Sequence, residues 1–436
     1  MKPAALLLLL ALAAPLPAQP PAQPTSLTGA WFVALDFYGS HQYMRMNLQQ
    51  NGSKLTGDFS GDKLEGTITG SNLHFLAKDE HGGAEDVTGS IANGTITASV
   101  LETHTDDSPQ KYNITATLLP ARPTAPPQRH EFSPTVFHHE FSPHNPPVLT
   151  VNPGDTIHTT TVDAGGVDGN NIKQTYGGNP QTGPFYIQSA MPGDTLVVHI
   201  LRLKLNRDWA GSDDYIVESA LNSELAVTAK DNGKSIRWHI DHAKGVATPE
   251  HPGQHLASYS IPLRPMLGCI ATAVAPSQAP PTTGDSGGYG GNMDFNEITE
   301  GATIYLPVLN PGALLYLGDA HAAQGDGEIN GNALETSADV EFTVDVIPNK
   351  NIHGRRVETP THLIALGYEG SIDNAFRTAT DNMALWLAED YKLTPSEIAQ
   401  VIGTAAEYKV TEVADRNSGV ALKINKSLLK PLTPKP

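Results

Sequence analysis

Residues 282–335 read TTGDSGGYGGNMDFNEITEGATIYLPVLNPGALLYLGDAHAAQGDGEINGNALE. The runs IYLPVL and ALLYLGD are short, apolar and bounded by polar turns, so they predict buried strands. Asp294, Glu297, Glu300, Asp319, His321, Asp326, Glu328 and Glu335 stand among them. Carboxylates beside apolar strands are costly to bury without a cation, a proton partner or water. A divalent metal would satisfy them, with Zn²⁺ the candidate and His321 plus carboxylates as ligands. A solvated acidic loop explains the same residues equally well, because no HExxH-type signature is present.

Outward from this stretch the pattern stays β-rich. Residues 146–349 carry alternating runs such as TLVVHILRLKL (195–205) and VEFTVDVI (340–347). Pro153-Gly154-Asp155 and Pro192-Gly193-Asp194 each lead into such a run, which suggests a duplicated β-module. Residues 27–118 alternate in shorter segments, punctuated by Asn51-Gly52, Gly61-Asp62 and Asn93-Gly94. That is the signature of an antiparallel meander closing into a small barrel or sandwich. It is similar to the avidin- or lipocalin-like modules appended to exported bacterial enzymes. Residues 119–129 form a proline-rich linker. Near the C-terminus, Ile372, Phe376, Ala379, Met383 and Leu387 recur at helical spacing over 371–389. Thr394-Pro395-Ser396-Glu397 has the form of a capping box opening a second helix to about Tyr408. The expected fold is mainly β: a multi-part sandwich or barrel body over 130–436 with a small C-terminal α+β segment, preceded by a small antiparallel β-barrel domain.

The 436-residue chain is long enough for two or three domains. A net charge of −18 with no basic stripe argues against nucleic acid as a partner. Lys2 followed by the apolar run Ala4–Ala14 reads as a secretory signal peptide over 1–18, so the protein is expected to be exported, periplasmic or extracellular. No later segment is apolar enough to span a membrane. The single cysteine, Cys269, lies in the apolar run MLGCIATAV and reads as a buried, inert thiol.

Two local signals compete for a catalytic role. His130, His138, His139 and His144 crowd around a repeated HEFSP and suggest a metal tract, against an edge strand as the plain alternative. Gly284-Asp285-Ser286-Gly287-Gly288 matches the nucleophile loop of chymotrypsin-like proteases. No TAAHC-like segment accompanies it, and one cysteine cannot form their disulfides.

Read whole, the second half resembles the acetamidase/formamidase family. The pieces that carry the resemblance are NPQTGPFYI from Asn179, AMPGDTLVVHIL from Ala190, RPMLGCIATAVAP from Arg264, GGNMD from Gly290, EGATIYLPV from Glu300, PGALLYLGDAHAAQGDGE from Pro311 and RVETPTHLIALGY from Arg356, with VTEVAD near the end. The resemblance runs from about His130 to the C-terminus. It implies hydrolysis of small linear amides to ammonia and a carboxylate, and a homodimer or larger assembly. The leader and the N-terminal β-domain depart from typical members and leave the substrate open.

Amide hydrolysis needs an activated nucleophile, charge stabilisation on the carbonyl oxygen and a proton for the leaving amine. Metal activation of water would meet the first need, with Asp294, Asp319 and His321 as candidate ligands. Glu328 is the candidate base, with Asp326 in support and Asp163 completing the site from a distant turn. Gly291 and Asn292 of the GGN segment are candidates for holding substrate and oxyanion. A non-catalytic exported binding protein for small amides or sugars, or a hydrolase of other C–N bonds such as lactams, would use the same scaffold.

Overall fold

The computed structural model describes residues 26–432 apart from 38, 106 and 230–233, and it divides into two units at Leu119–Pro120. The expected leader lies outside the described residues.

The first unit is a closed barrel of eight antiparallel strands in simple meander order, from Gly29–Phe37 to Gln110–Leu118, with the first and last strands paired. Alternation places every second side chain inside. In the last strand these are Tyr112, Ile114 and Ala116. Trp31, Met46, Phe59 and Phe75 are fully buried and fill the interior. The Trp31 indole N–H is satisfied by the Leu27 carbonyl at 2.9 Å. Asn93 and Gly94 both take positive φ, 50° and 78°, as a two-residue hairpin with right-handed strand twist requires.

The second unit is a sandwich of two sheets. In one, the strands Thr156–Thr160 and Thr195–Leu205 both pair antiparallel with Ala338–Ile347. The twin Pro-Gly-Asp turns feed these two strands. Asp155 accepts from the backbone of Gln128 and Asn152, and Asp194 from Met191 and Asn349, so the repeated tripeptide is one turn design used twice against the same strand. In the other sheet, Leu315–His321 pairs antiparallel with Met266–Thr272. The core lies between: Leu196, Val198, Val340 and Phe342 from one sheet meet Leu267, Ile270, Leu315 and Leu317 from the other. The proline-rich stretch after Leu119 is held to this unit, where Arg122 pairs with Asp345 at 2.7 Å.

The helices Ile372–Tyr391 and Pro395–Ala405 pack on the strands His362–Glu369 and Ser418–Asn425. The capping box at Thr394 and Glu397 is formed in both directions. The second helix ends earlier than its periodicity suggests, because Glu407–Val410 leaves it to pair as an edge strand with Ser418–Asn425. Ile372 and Phe376 are exposed rather than core, and Phe376 stacks on Tyr408 instead. No helix among the described residues is long and apolar enough to cross a membrane.

Candidate active site

Leu315–His321 is buried along its whole length. Leu315 and Leu317 point into the sandwich, and strict alternation would send Asp319 there as well. Asp319 instead takes a left-handed backbone, φ 59°, and Ala320 returns to the core. Asp294 and Glu328 are also left-handed, at φ 38° and 47°. Each such residue costs about 1–3 kcal/mol and persists only where its surroundings over-determine it. Asp294 is pinned by its N–H to the Gly268 carbonyl at 3.1 Å and by Gln324, which donates to its carbonyl. Gly268 is required for a further reason. A Cβ there would lie 2.3 Å from both Asp294 Oδ1 and Asp319 Oδ2.

These carboxylates surround a buried imidazole. His321 Nε2 lies 3.2 Å from Glu335 Oε1, 3.5 Å from Asp319 Oδ1 and 3.9 Å from Asp294 Oδ1. Its Nδ1 is 2.9 Å from Gln324 Oε1. The Gln324 amide nitrogen donates to two carbonyls, Asp294 and Thr411, so its oxygen accepts and the network assigns a hydrogen to Nδ1. That leaves Nε2 facing the acids. Burial alone disfavours an imidazolium here, but Glu335 and Asp319 outweigh it and hold His321 above its ordinary range. The cluster therefore calls for positive charge at this point, as a proton or as a cation.

Asp294 Oδ1, Asp319 Oδ1, His321 Nε2 and Glu335 Oε2 are buried without a hydrogen-bond partner. Orphaned buried atoms are rare, and several in one place mark an absent counter-charge. Two sets have ligand atoms within 4.8 Å of one another: Asp294, His321 and Glu328, and Asp319, His321 and Glu335. An imidazole with carboxylates fits Zn²⁺. Burial pushes Asp294 and Glu328 well above the carboxylate range, Glu335 to about 7, Asp415 to about 6 and Glu412 to about 9.

Asp294, Asp319, Glu328, Glu335 and Asp415 line a cavity of about 730 Å³ whose other walls include His139, Ala164–Gly165, Tyr176–Asn179, Thr282 and Gly284. In a separate cavity of about 470 Å³ beside Trp386, Lys350 pairs with Asp390 and Lys426 with Glu358.

The structure sorts the sequence-predicted residues. Asp294, Asp319, His321 and Glu328 converge. Asp326 does not: it is exposed and pairs with Lys409 at 3.0 Å and with Asn296. Asp163 stands behind the cavity wall, its carboxylate 2.6 Å from buried Arg207. Gly291 is paired on both sides in the sheet, with Ile270 and Ser286, and the Asn292 N–H is bonded to the Asp285 carbonyl. These ladder bonds take the GGN segment out of the role of oxyanion hole. Asn292 lines the cavity, and its amide donates to Asp294 and Asp415 and accepts from Asn179.

Glu297 and Glu300 are drawn off by Lys423 and Lys204. Glu335, Asp415 and Asn179 complete the site and were not assigned roles from the sequence. Asp415 and Asn179 lie in the quoted VTEVAD and NPQTGPFYI, which is the signal that could have found them. The histidine tract disperses: His130 pairs with Asp155, and His139 stacks on Tyr176. None of the described histidines hydrogen-bonds Ser286, which sits in a short buried strand. Cys269 is fully buried, and burial pushes its thiol up.

Residues 280–381 match the profile of the Acetamidase/Formamidase family. Over this segment and in its fold, the second unit is similar to the acetamidase/formamidase family. The matched segment contains four of the converging acids, Asp294, Asp319, Glu328 and Glu335, and His321. The chain is 27% identical over 225 residues to a Schizosaccharomyces pombe protein assigned by name to the formamidases, covering 42% of this chain and 55% of that one. It is 26% identical over 312 residues to the formamidase of Methylophilus methylotrophus, covering 55% and 73%. The crystal structure of an acetamidase from Bacillus halodurans superposes with a TM-score of 0.60 at 26% identity, over 70% of this chain and 99% of that one. The chain thus spans about half the length of the first of these curated relatives and most of the acetamidase structure.

Proposed function

We propose that the protein hydrolyses the C–N bond of primary carboxamides, releasing ammonia and a carboxylate. The observation that carries this reading is the set of orphaned carboxylate and imidazole atoms converging at one cavity. The formamidase and acetamidase names of the relatives agree with it.

Asp294, Asp319, His321 and Glu335 would hold a divalent cation, Zn²⁺ on their chemistry. Bound there, it supplies Lewis acidity, lowering the pKa of water and polarising a carbonyl. Glu328 is the general base. Its carboxylate takes a proton from the attacking water as the O–C bond forms, and returns it to nitrogen as the C–N bond breaks. Amide and water are thereby converted to carboxylic acid and ammonia with no other reactant. Burial, with the charges of Glu335 and Asp319 adding to it against His321, raises the proton affinity of Glu328. A base tuned upward from the ordinary carboxylate range is matched to proton transfer near neutral pH. Gln324 orients His321, Asn292 aligns Asp294 with Asp415, and Asp163 neutralises Arg207 behind the wall. Export rests on the leader sequence alone, and sequencing the mature N-terminus tests it.

Purified protein is expected to release ammonia from a panel of primary amides and to contain a stoichiometric divalent ion by elemental analysis. Folded, metal-replete protein that releases no ammonia from any of them overturns the reading.

A further inference from the structure

The cavity is large for the smallest amides. Formamide and acetamide have only a few heavy atoms, whereas cavities of about 300–1,000 Å³ are those that enclose drug-sized ligands. At about 730 Å³, this one has room for a substituent well beyond the reacting carbonyl.

One wall has a defined shape. The His139 and Tyr176 rings stack with centroids 3.8 Å apart and planes 10° from parallel. His139 Nε2 lies 3.1 Å from the Tyr176 carbonyl, which ties the pair together. Tyr176 is 68% exposed although it lines the cavity. Gly177 and Gly178 follow it and line the same cavity.

The segment is also braced. The N–H groups of Gly178 and Asn179 both donate to the Ala164 carbonyl, and Gln174 N–H donates to Gly166. Asn179 then bonds Asn292, which in turn bonds Asp294. The ring wall and the acid cluster are linked through two side chains. A flat, pre-organised aromatic surface binds another ring with little ordering cost.

Charge selects among the possible rings. Among the described residues lining the cavity there is no Lys or Arg, while Asp294, Asp319, Glu328, Glu335 and Asp415 are all present. An anionic substituent would find no cationic side chain to pair with.

We propose that the stacked His139–Tyr176 pair forms a subsite for an uncharged aromatic acyl group, so that arylalkyl amides such as phenylacetamide are favoured over formamide and acetamide. This rests on the amidase reading above. The reaction is the same hydrolysis: phenylacetamide and water give phenylacetic acid and ammonia, with the O–C bond formed and the C–N bond broken.

The test is kcat/KM by ammonia release for acetamide, phenylacetamide and 4-carboxyphenylacetamide on the full-length protein. Phenylacetamide is expected to exceed acetamide by about 10-fold or more, and the carboxylated analogue to fall well below phenylacetamide. Tyr176→Ala should shrink the phenylacetamide-to-acetamide ratio by about 10-fold, and Tyr176→Phe should preserve it. Because Tyr176 is exposed, the substitution leaves the core packing alone, and circular dichroism checks the fold. A preference for acetamide, or a Tyr176→Ala variant that lowers both substrates alike, overturns the subsite while leaving the amidase reading intact. No ammonia from any of the three removes both.

Discussion

Among the described residues, the buried side chains of the barrel are apolar, from Trp31 and Met46 to Phe59 and Phe75. The second unit, also built from β-sheets, buries Asp294, Asp319, His321, Glu328 and Glu412. The barrel core can be accounted for by burial alone, and its desolvated acid, Glu85, is partly exposed. The second interior cannot, since its acids are desolvated, crowded and partly unpartnered, and three of them sit on left-handed backbone. An arrangement that opposes stability at several points marks where chemistry is done.

That contrast can be tested at its strongest point by Glu328→Gln. The change keeps shape and removes the proposed base, so ammonia release is expected to fall by about 10²–10⁴-fold with thermal unfolding little changed. Full activity in that variant would assign Glu328 to the cavity lining only. In the barrel, Phe75→Ala should cost about 3–5 kcal/mol of stability by denaturant unfolding, since it opens a cavity in a filled interior. Its kcat per folded molecule should stay at the wild-type value, and a parallel loss of kcat would dissolve the distinction between the units.

Gly268→Ala probes the second unit from the packing side. A Cβ placed 2.3 Å from two carboxylate oxygens must push Asp294 and Asp319 apart. About 1–3 kcal/mol of destabilisation is expected, together with loss, by elemental analysis, of the metal proposed for this site. Retained metal would mean that the carboxylates are not held by this glycine.

The smallest effect is electrostatic and lies in the barrel. Burial, helped by Asp62 and Glu102, raises Glu85 from 4.5 to about 7. The folded state therefore binds this proton more tightly than the unfolded chain does. Its contribution is fully present below pH 4.5 and is lost as pH rises toward about 7. Glu85→Gln should stabilise the protein at pH 8 and leave it unchanged at pH 4. Glu85 is partly exposed, so solvent screening limits the gain to about 1 kcal/mol or less.

Much of this was legible in the chain. Period-two alternation with Asn-Gly turns specified the barrel, because the side-chain pattern of a strand is local. The capping box and the two Pro-Gly-Asp turns were equally local, and each is found where its residues stand. The acid-rich stretch and the family resemblance pointed to Asp294, Asp319, His321 and Glu328. Residue type alone did not separate Asp326 from Glu328, two positions apart. One faces Lys409 and solvent while the other faces His321, a difference set by backbone dihedrals.

Composition and spacing thus determined the mainly β architecture and the local turns and caps, since these follow from short-range periodicity. Only the tertiary structure brought Asn179, Glu335 and Asp415 to the same cavity, tied up the amides of Gly291 and Asn292, and turned Asp319 out of the apolar core. Those outcomes depend on which strands become neighbours and on a few left-handed residues that distant contacts hold in place, and neither is encoded within one stretch of chain.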